Sequence, residues 1–159
     1  MRAVDTNLLV RLVARDEPHQ AAAAEAFVAR GAWVSHIVLV EAVWVLDSVY
    51  ELDRAAQARA VAMLLNHRDL TIQDSDVAAA ALDRFTARSG VSFSDCLVLE
   101  VARKAGHLPL GTFDRELGKL DGAQRLSGPR GGRTTRCSGR RAVGGVWERY
   151  HRHGHRGPW

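Results

Sequence analysis

Short apolar runs alternate with longer helical patterns along the first 126 residues. The runs Trp33-Val34 and Leu70-Thr71-Ile72 are typical of short buried strands. Between them, Ser35 is a favourable N-cap for an apolar helix. Strands that alternate with helices predict an α/β fold with a parallel sheet covered on both faces. The predicted strands are residues 3–4, 33–34, 70–72 and 108–113. The first two predicted helices start near residue 8 and span 17–30, and the next two follow the N-caps Ser35 and Asp53. The last two follow the N-cap Asp74 or Ser75 and span 95–104 after the N-cap Ser94.

The pattern changes near Leu126. Residues 127–159 hold eight of the 14 glycines and eight arginines, and they show no apolar periodicity. We therefore expect a domain over residues 1–126 and an irregular Arg/Gly-rich tail over 127–159, either disordered or non-native. The tail is a solvated extension, the product of a shifted reading frame in a GC-rich gene, or an arginine-rich arm that binds RNA. Its alternating histidines, His151, His153 and His155, are a weak signal for a metal site.

The charge and cysteine content narrow the class of protein. The net charge of +4 comes from the tail, because residues 1–126 hold 14 basic and 17 acidic residues, a net charge of −3. A basic, nucleic-acid-binding character therefore belongs to the tail alone. Two cysteines do not make a disulfide scaffold. The first residues lack a signal-peptide pattern, and no run approaches the roughly 18 apolar residues of a membrane helix, so we expect a cytoplasmic protein without a membrane partner.

Four acidic residues lie at strand–helix turns or inside an apolar stretch, where a functional role is plausible from the sequence. Asp5, Asp95 and Asp114 lie at turns between strands and helices, which gather at the carboxyl edge of an open parallel sheet. Glu41 lies inside a ten-residue apolar stretch, where burial of an acid is costly unless it is paired or metal-bound. Each acid alone has a simpler interpretation: a helix cap for Asp5, a favourable first-turn charge for Asp95, a turn residue for Asp114, and a raised pKa or an arginine partner for Glu41.

Converging carboxylates repel one another. Two unit charges about 4 Å apart cost about 4 kcal/mol at an effective dielectric constant near 20. A cluster of four therefore requires protons or cations, and a set of oxygen ligands favours Mg²⁺ or Mn²⁺ over zinc. Such a site is suited to metal-assisted hydrolysis of phosphodiester bonds, in which one metal lowers the pKa of a bound water and a second, if present, stabilises the leaving oxygen.

These motifs, in this order, resemble those of PIN-domain ribonucleases. The matching segments are Asp5-Thr6-Asn7 after the first strand, Glu41 in an apolar helix, Phe93-Ser94-Asp95, and Gly111-Thr112-Phe113-Asp114. Their spacing and the small size are most similar to VapC-type toxins of bacterial toxin–antitoxin pairs. The resemblance covers about residues 1–126, and it implies an α/β/α sandwich around a central parallel sheet of four or five strands, the last of them at residues 123–126.

The resemblance also implies an activity, a site and partners. The activity is endoribonuclease cleavage of tRNA, rRNA or mRNA with Mg²⁺ or Mn²⁺. Asp5, Glu41, Asp95 and Asp114 would form the acidic quartet, with Asp5 and Asp95 as the principal metal ligands, Glu41 orienting a water ligand and Asp114 at a second, weaker metal position. Thr6, Asn7 and Thr112 would support these carboxylates through hydrogen bonds. The implied partners are a cognate antitoxin, which inserts a segment into the active-site groove, and a second copy in a homodimer.

Two other interpretations compete with the toxin. One is a catalytically silent PIN-like module that binds RNA or an antitoxin. The other is a phosphate-accepting receiver domain, which also has acids at strand ends but needs a lysine on a later strand, and none is so placed. Two further interpretations concern other side chains. Trp33 and Trp44 are expected in the core, because apolar residues flank each of them. Several cations are candidates for contact with RNA phosphates, although a solvated helix face is the simpler interpretation of any single one: Arg11, Arg15, Arg84, Arg88, Arg103 and Lys104.

Overall fold

Helices and strands alternate in the computed structural model, which describes residues 1–127. Every strand within this range is short, and every strand pairing is parallel. The strands are β1 (Arg2–Ala3), β2 (Ala32–Val34), β3 (Leu70–Ile72), β4 (Leu110–Thr112) and β5 (Ala123–Arg125). The helices are α1 (Thr6–Ala14), α2 (Pro18–Val28), α3 (His36–Ser48), α4 (Arg54–Leu65), α5 (Ser75–Ala87) and α6 (Phe93–Lys104), and a 3₁₀ turn covers Leu117–Lys119.

The strands pair in two groups. β1, β2 and β3 are hydrogen-bonded in that order, and β4 pairs with β5. The register places Ala3 beside Trp33 and Trp33 beside Thr71. Parallel neighbours require a crossover, and here helices supply the crossovers between β1, β2 and β3. The predicted α/β fold with parallel strands is confirmed, and residues 70–72 form a strand with the predicted bounds.

The core lies between the strands and the apolar faces of the helices. Ala32 and Val34 of β2 are fully buried, as are Leu39 of α3 and Leu99 of α6. The Phe85 and Phe93 rings meet edge to face, with centroids 6.0 Å apart and planes at 84°. Such a pair contributes about 0.5–1.5 kcal/mol beyond the burial of its surface. This contact fixes the end of α5 against the beginning of α6.

Two tryptophans contradict the expectation that they belong to the core. Trp44 is 63% exposed, and Trp33 is 37% exposed. Side chains on a strand alternate between faces, so Trp33 points away from the face on which Ala32 and Val34 are buried. Helix α3 is apolar on more than one side: its buried face carries Leu39 and other core residues, while Trp44 lies on the outer side.

The N-caps correct one predicted helix boundary. Ser35 and Asp53 cap α3 and α4, accepting hydrogen bonds from the backbone N–H groups three residues ahead. Helix α6, however, begins at Phe93, and its N-cap is Ser92 rather than Ser94, because the Ser92 hydroxyl accepts from the Asp95 N–H at 3.1 Å. The prediction at Ser94 was therefore two residues late.

Helix α5 starts differently. Asp74 occupies its N-cap position in the left-handed region (φ 41°), yet its carboxylate makes no capping hydrogen bond. The carboxylate instead binds the Lys104 ammonium at 2.7 Å, and Lys104 also contacts Asp76 at 2.9 Å. These ion pairs join the first turn of α5 to the last turn of α6.

Some expectations fall beyond the described range. The tail from residue 128 onward, including its three histidines, lies outside the described residues, so the domain boundary near residue 126 stays a prediction. Within residues 1–127, no helix has both the length and the apolar character needed to cross a bilayer.

Candidate active site

Asp5 stands at the junction of β1 and α1. It is the N-cap of α1, and its Oδ1 atom accepts a hydrogen bond from the Leu8 N–H at 2.9 Å. The residue is exposed. The simpler interpretation of Asp5 as a helix cap therefore describes its local role. Since capping engages one carboxylate oxygen, the other oxygen stays available to a ligand.

Glu41 lies on the outer side of α3. It is exposed, so the cost of burying an acid does not arise: the side of α3 that carries Glu41 faces outward even though its neighbours in sequence are apolar. The Thr6 hydroxyl donates to Glu41 Oε2 at 2.6 Å. Because Thr6 directly follows Asp5, this bond places the Glu41 carboxylate beside the beginning of α1.

Asp95 occupies the first turn of α6 and is half-buried. Ser92 holds it twice: its hydroxyl donates to Asp95 Oδ2 at 2.6 Å and accepts from the Asp95 N–H at 3.1 Å. Ser92 also lies 2.8 Å from the Ser94 hydroxyl. Ser92 is not among the site residues predicted from the sequence. Its signal was the Ser-x-x-Asp spacing, a form of the capping box.

Asp114 repeats the local geometry of Asp5. It follows β4 by two residues, as Asp5 follows β1, and its Oδ1 accepts from the Leu117 N–H at 2.6 Å. The Thr112 hydroxyl accepts from the Asp114 N–H at 3.0 Å, which fixes the backbone at the strand end. Asp114 is exposed. Asp5 and Asp114 therefore share one local geometry: each lies two residues after a strand and accepts a hydrogen bond from the backbone N–H three residues ahead.

Asn7 differs from the other polar residues expected at the site. It is exposed, and its side chain makes no hydrogen bond to any residue in the range 1–127. Thr6 contacts a carboxylate directly, whereas Thr112 contacts only the backbone of Asp114. The three residues expected to support the carboxylates therefore have three different surroundings.

The four acids share an electrostatic property. None of them forms an ion pair with another residue of the described part of the chain, although Glu100 and Asp16 each pair with arginine. Each has one oxygen engaged by a single residue through hydrogen bonding, and the second oxygen has no partner within residues 1–127. The four acids described in this way are Asp5, Glu41, Asp95 and Asp114.

Most of the cations that are candidates for contact with RNA form ion pairs within the described residues. Arg11, Arg15, Arg84, Arg103 and Lys104 all form ion pairs with acids of the same chain. Arg88 is exposed and forms no ion pair within the described residues. The same holds for Arg115, which directly follows Asp114. Arg115 was not among our candidates, and its position next to an acid of the quartet was the signal that could have found it.

The donor chemistry of these four carboxylates suits a divalent metal ion, but their arrangement in the structure does not form a metal-binding cluster. Four carboxylates supply only oxygen, the ligand that Mg²⁺ and Mn²⁺ prefer. Each retains an oxygen without a partner in the range 1–127. However, no three Asp, Glu, His or Cys side chains of the described residues are grouped closely enough to hold a metal ion. The structure brings Thr6 and Glu41 together, but it does not gather the quartet into one ligand cluster.

An apolar groove adjoins these residues. It has a volume of about 940 Å³ and runs between α3 and α6, with Glu41 and Ser94 in its lining. Ile37 and Trp44 line it from α3, and Val98 lines it from α6; they are 79%, 63% and 54% exposed. Among residues 1–127, no lysine or arginine contributes to the lining. The groove is therefore apolar with an acidic edge.

Comparison with known protein families matches residues 2–123 to the PIN domain. Neither a curated protein nor a solved structure matches the chain significantly. PIN domains are generally nucleases and typically depend on divalent metal ions. The match spans both strand-end aspartates and all six helices of the described part, and the chain therefore belongs to the PIN domain family.

Proposed function

We propose that this protein is a Mg²⁺- or Mn²⁺-dependent endoribonuclease that acts as the toxin of a bacterial toxin–antitoxin pair. The observation that carries the proposal is the state of the four carboxylates within a PIN domain. All four lack an ion-pair partner in the described residues, and each has one oxygen engaged by a neighbouring residue. An acid that served only to balance a nearby cation would be paired with it, as Glu100 is.

The metal ligands in this proposal are Asp5, Asp95 and Asp114, with Glu41 orienting a water. When bound, the metal ion supplies a water of lowered pKa and stabilises charge on the phosphate. The protein's own contribution is orientation. Thr6 fixes one oxygen of Glu41, and Ser92 fixes one oxygen of Asp95. Backbone N–H groups of Leu8 and Leu117 do the same for the strand-end aspartates.

The proposed substrate is RNA, and the proposed place of action is the cytoplasm. Phosphate groups need cations that are not already neutralised. Arg115, next to Asp114, and Arg88, at the end of α5, meet this condition within the described residues. Their contacts would be to the backbone rather than the bases, so they do not choose among tRNA, rRNA and mRNA.

The proposed partner is an antitoxin segment that enters the groove between α3 and α6. An apolar segment with one basic side chain would complement the exposed Trp44 and the acidic edge at Glu41. His36 also lines this groove, and its Nε2 atom is buried without a hydrogen-bond partner in the described part of the chain. A homodimer is the second proposed assembly, and light scattering of the isolated chain tests it.

Cleavage of RNA by the full-length protein tests the proposal. We expect cleavage of a purified tRNA pool with Mn²⁺, its loss with EDTA, and a decrease of about 100-fold or more in Asp5→Asn, because that change removes a charged metal ligand. Asp83→Asn is the matched control, since Asp83 is exposed on α5 and forms no ion pair within residues 1–127. Cleavage that persists with EDTA or in Asp5→Asn would contradict the mechanism.

One observation favours a second candidate, a PIN-like module that binds RNA or an antitoxin without cleaving. No metal-binding group of three side chains exists within the described residues as they stand. Calorimetric titration with Mn²⁺ separates the candidates. Binding that is lost in Asp95→Asn supports the nuclease, and the absence of carboxylate-dependent binding supports the silent module.

A further inference from the structure

Arg54 makes an unusual set of contacts for the first residue of a helix. It begins α4, and its guanidinium carbon lies 3.7 Å from the centroid of the Phe85 ring. Its Nη1 donates to the Val91 carbonyl at 2.7 Å, and its Nη2 donates to the carbonyls of Phe85 and Arg88. One side chain thus holds three carbonyls and one aromatic face.

All three carbonyls belong to the segment that leads into the proposed site. Phe85 lies in the last turn of α5, and Arg88 is the C-cap of that helix. Val91 directly precedes Ser92, the N-cap of α6 that holds Asp95. Arg54 therefore binds residues 85–91 at both ends, immediately before the residue that orients an acid of the quartet.

The same segment touches the region of Asp114. Gly90 has φ of 90°, a conformation that favours glycine, and a Cβ atom built there would lie 3.3 Å from Glu116 Cγ. Glu116 is two residues beyond Asp114, and Lys119 holds its carboxylate at 2.6 Å. The turn before α6 is thus packed against the connection that carries Asp114. Movement of this turn would displace Asp95 relative to Asp114.

A second arginine provides an internal comparison. The guanidinium carbon of Arg2 also lies 3.7 Å from a phenylalanine ring, that of Phe27, and Arg2 also donates to the carbonyl of that phenylalanine, at the end of α2. Stacking and capping of a helix end are common to both arginines. The additional bond to Val91, beyond the helix, distinguishes Arg54.

We propose that Arg54 is a positioning residue, which fixes the turn at residues 88–92 and thereby holds Asp95 in place relative to Asp114. This inference rests on the proposed function for its consequence in metal binding, but the restraint itself does not. A lysine at this position keeps the charge but lacks the planar fork that reaches several acceptors at once. The restraint should therefore fail in Arg54→Lys as well as in Arg54→Gln.

Two measurements on the full-length protein test the proposal. The first is amide hydrogen exchange without metal: we expect Arg54→Lys and Arg54→Gln to increase exchange selectively in residues 88–96, while Arg2→Gln leaves that segment unchanged. The second is Mn²⁺ titration by calorimetry: we expect the Arg54 variants to bind Mn²⁺ about 10-fold more weakly than the wild type, a typical loss for residues that orient metal ligands. Arg2→Gln should bind as the wild type does.

The outcomes are separable. If Arg54→Gln does not fold, Arg54→Lys, which retains the cation near Phe85, carries both measurements. Unchanged exchange in residues 88–96 of folded Arg54→Lys would overturn the proposal, and so would increased exchange with unchanged Mn²⁺ affinity. Absence of Mn²⁺ binding in the wild type would instead refute the proposed function, and the exchange experiment would then decide the restraint alone.

Discussion

Glu41 and Glu100 show how differently this chain treats its acids. Glu100 is buried on α6 at 6% exposure, and Arg84 and Arg103 both contact its Oε1 atom. Glu41 is exposed on α3, and its one hydrogen bond comes from the neutral hydroxyl of Thr6. Both lie among apolar neighbours in the sequence. The buried acid, Glu100, is neutralised by the protein itself, whereas the exposed acid, Glu41, has no cation partner within the described residues.

The difference extends to the regions around them. Where α5 packs against α6, acids meet cations: Glu100 meets two arginines, and Lys104 meets Asp74 and Asp76. At the strand ends, carboxylates meet hydroxyl and backbone N–H groups. Such groups orient a carboxylate without cancelling its charge. The first region is therefore built for stability, and the second has the properties of a ligand site.

The largest expected effect contrasts the two glutamates. Glu100→Gln leaves two arginines without their buried partner, and we expect it to lower the free energy of unfolding by about 3 kcal/mol. Glu41→Gln should change stability by no more than about 0.5 kcal/mol, because the side chain is exposed. Urea denaturation followed by circular dichroism measures both. Equal losses in the two variants would show that burial and pairing do not separate these acids.

A smaller expected effect distinguishes the helix-capping role of Ser92 from its role in orienting the Asp95 carboxylate. Ser92→Ala and Ser35→Ala each remove an N-cap hydroxyl, so both should lower stability by about 1 kcal/mol. Only Ser92 also bonds a carboxylate of the proposed quartet, so only Ser92→Ala should weaken Mn²⁺ binding, by about 10-fold. Thermal melts and calorimetric titration provide the two readouts. Equal Mn²⁺ affinities in the two variants would remove Ser92 from the site.

The smallest expected effect is on the stability at acid pH that the Asp76–Lys104 ion pair provides between α5 and α6. The Lys104 ammonium lowers the pKa of Asp76 below its ordinary value of 3.8. The folded state therefore binds this proton less readily than the unfolded state, and the stabilisation is present above pH 3.8 and lost as the pH falls through the lowered pKa. Melting temperatures between pH 5 and pH 2.5 should fall less in Asp76→Asn than in the wild type. Asp83→Asn, without a cation partner in the described residues, should keep the wild-type slope.

The sequence predicted the fold better than the surroundings of its side chains. Local patterns suffice for β3 and for the Ser35 cap, because alternation and capping depend on neighbours in the chain. Burial of Trp33 and Trp44 was predicted from apolar neighbours, and both are exposed. On a helix, residues adjacent in sequence point in different directions, so an apolar stretch does not bury all its members.

The contacts between distant segments account for the rest. The pairing of Glu100 with Arg84 could not be predicted from the sequence, because Arg84 lies 16 residues away on another helix. Arg54 lies 37 residues from Val91, and Glu116 lies far in sequence from Gly90. Such pairs are decided by helix packing rather than by spacing. Three of the four acids could be selected as candidates from their places at strand and helix ends, and Glu41 from its apolar neighbours, whereas the hydrogen bonds that engage them required the structure.

The shared geometry of Asp5 and Asp114 determines how the protein tolerates substitution of either residue by asparagine. Asparagine accepts the same capping hydrogen bond as aspartate, so either residue can lose its charge without disturbing the turn it begins. A gene that acquires such a change would still encode a folded protein with its α3–α6 surface intact. Under the proposed function, such a variant would lose a metal ligand while keeping the groove proposed to bind the antitoxin, and it would compete with active copies for that antitoxin.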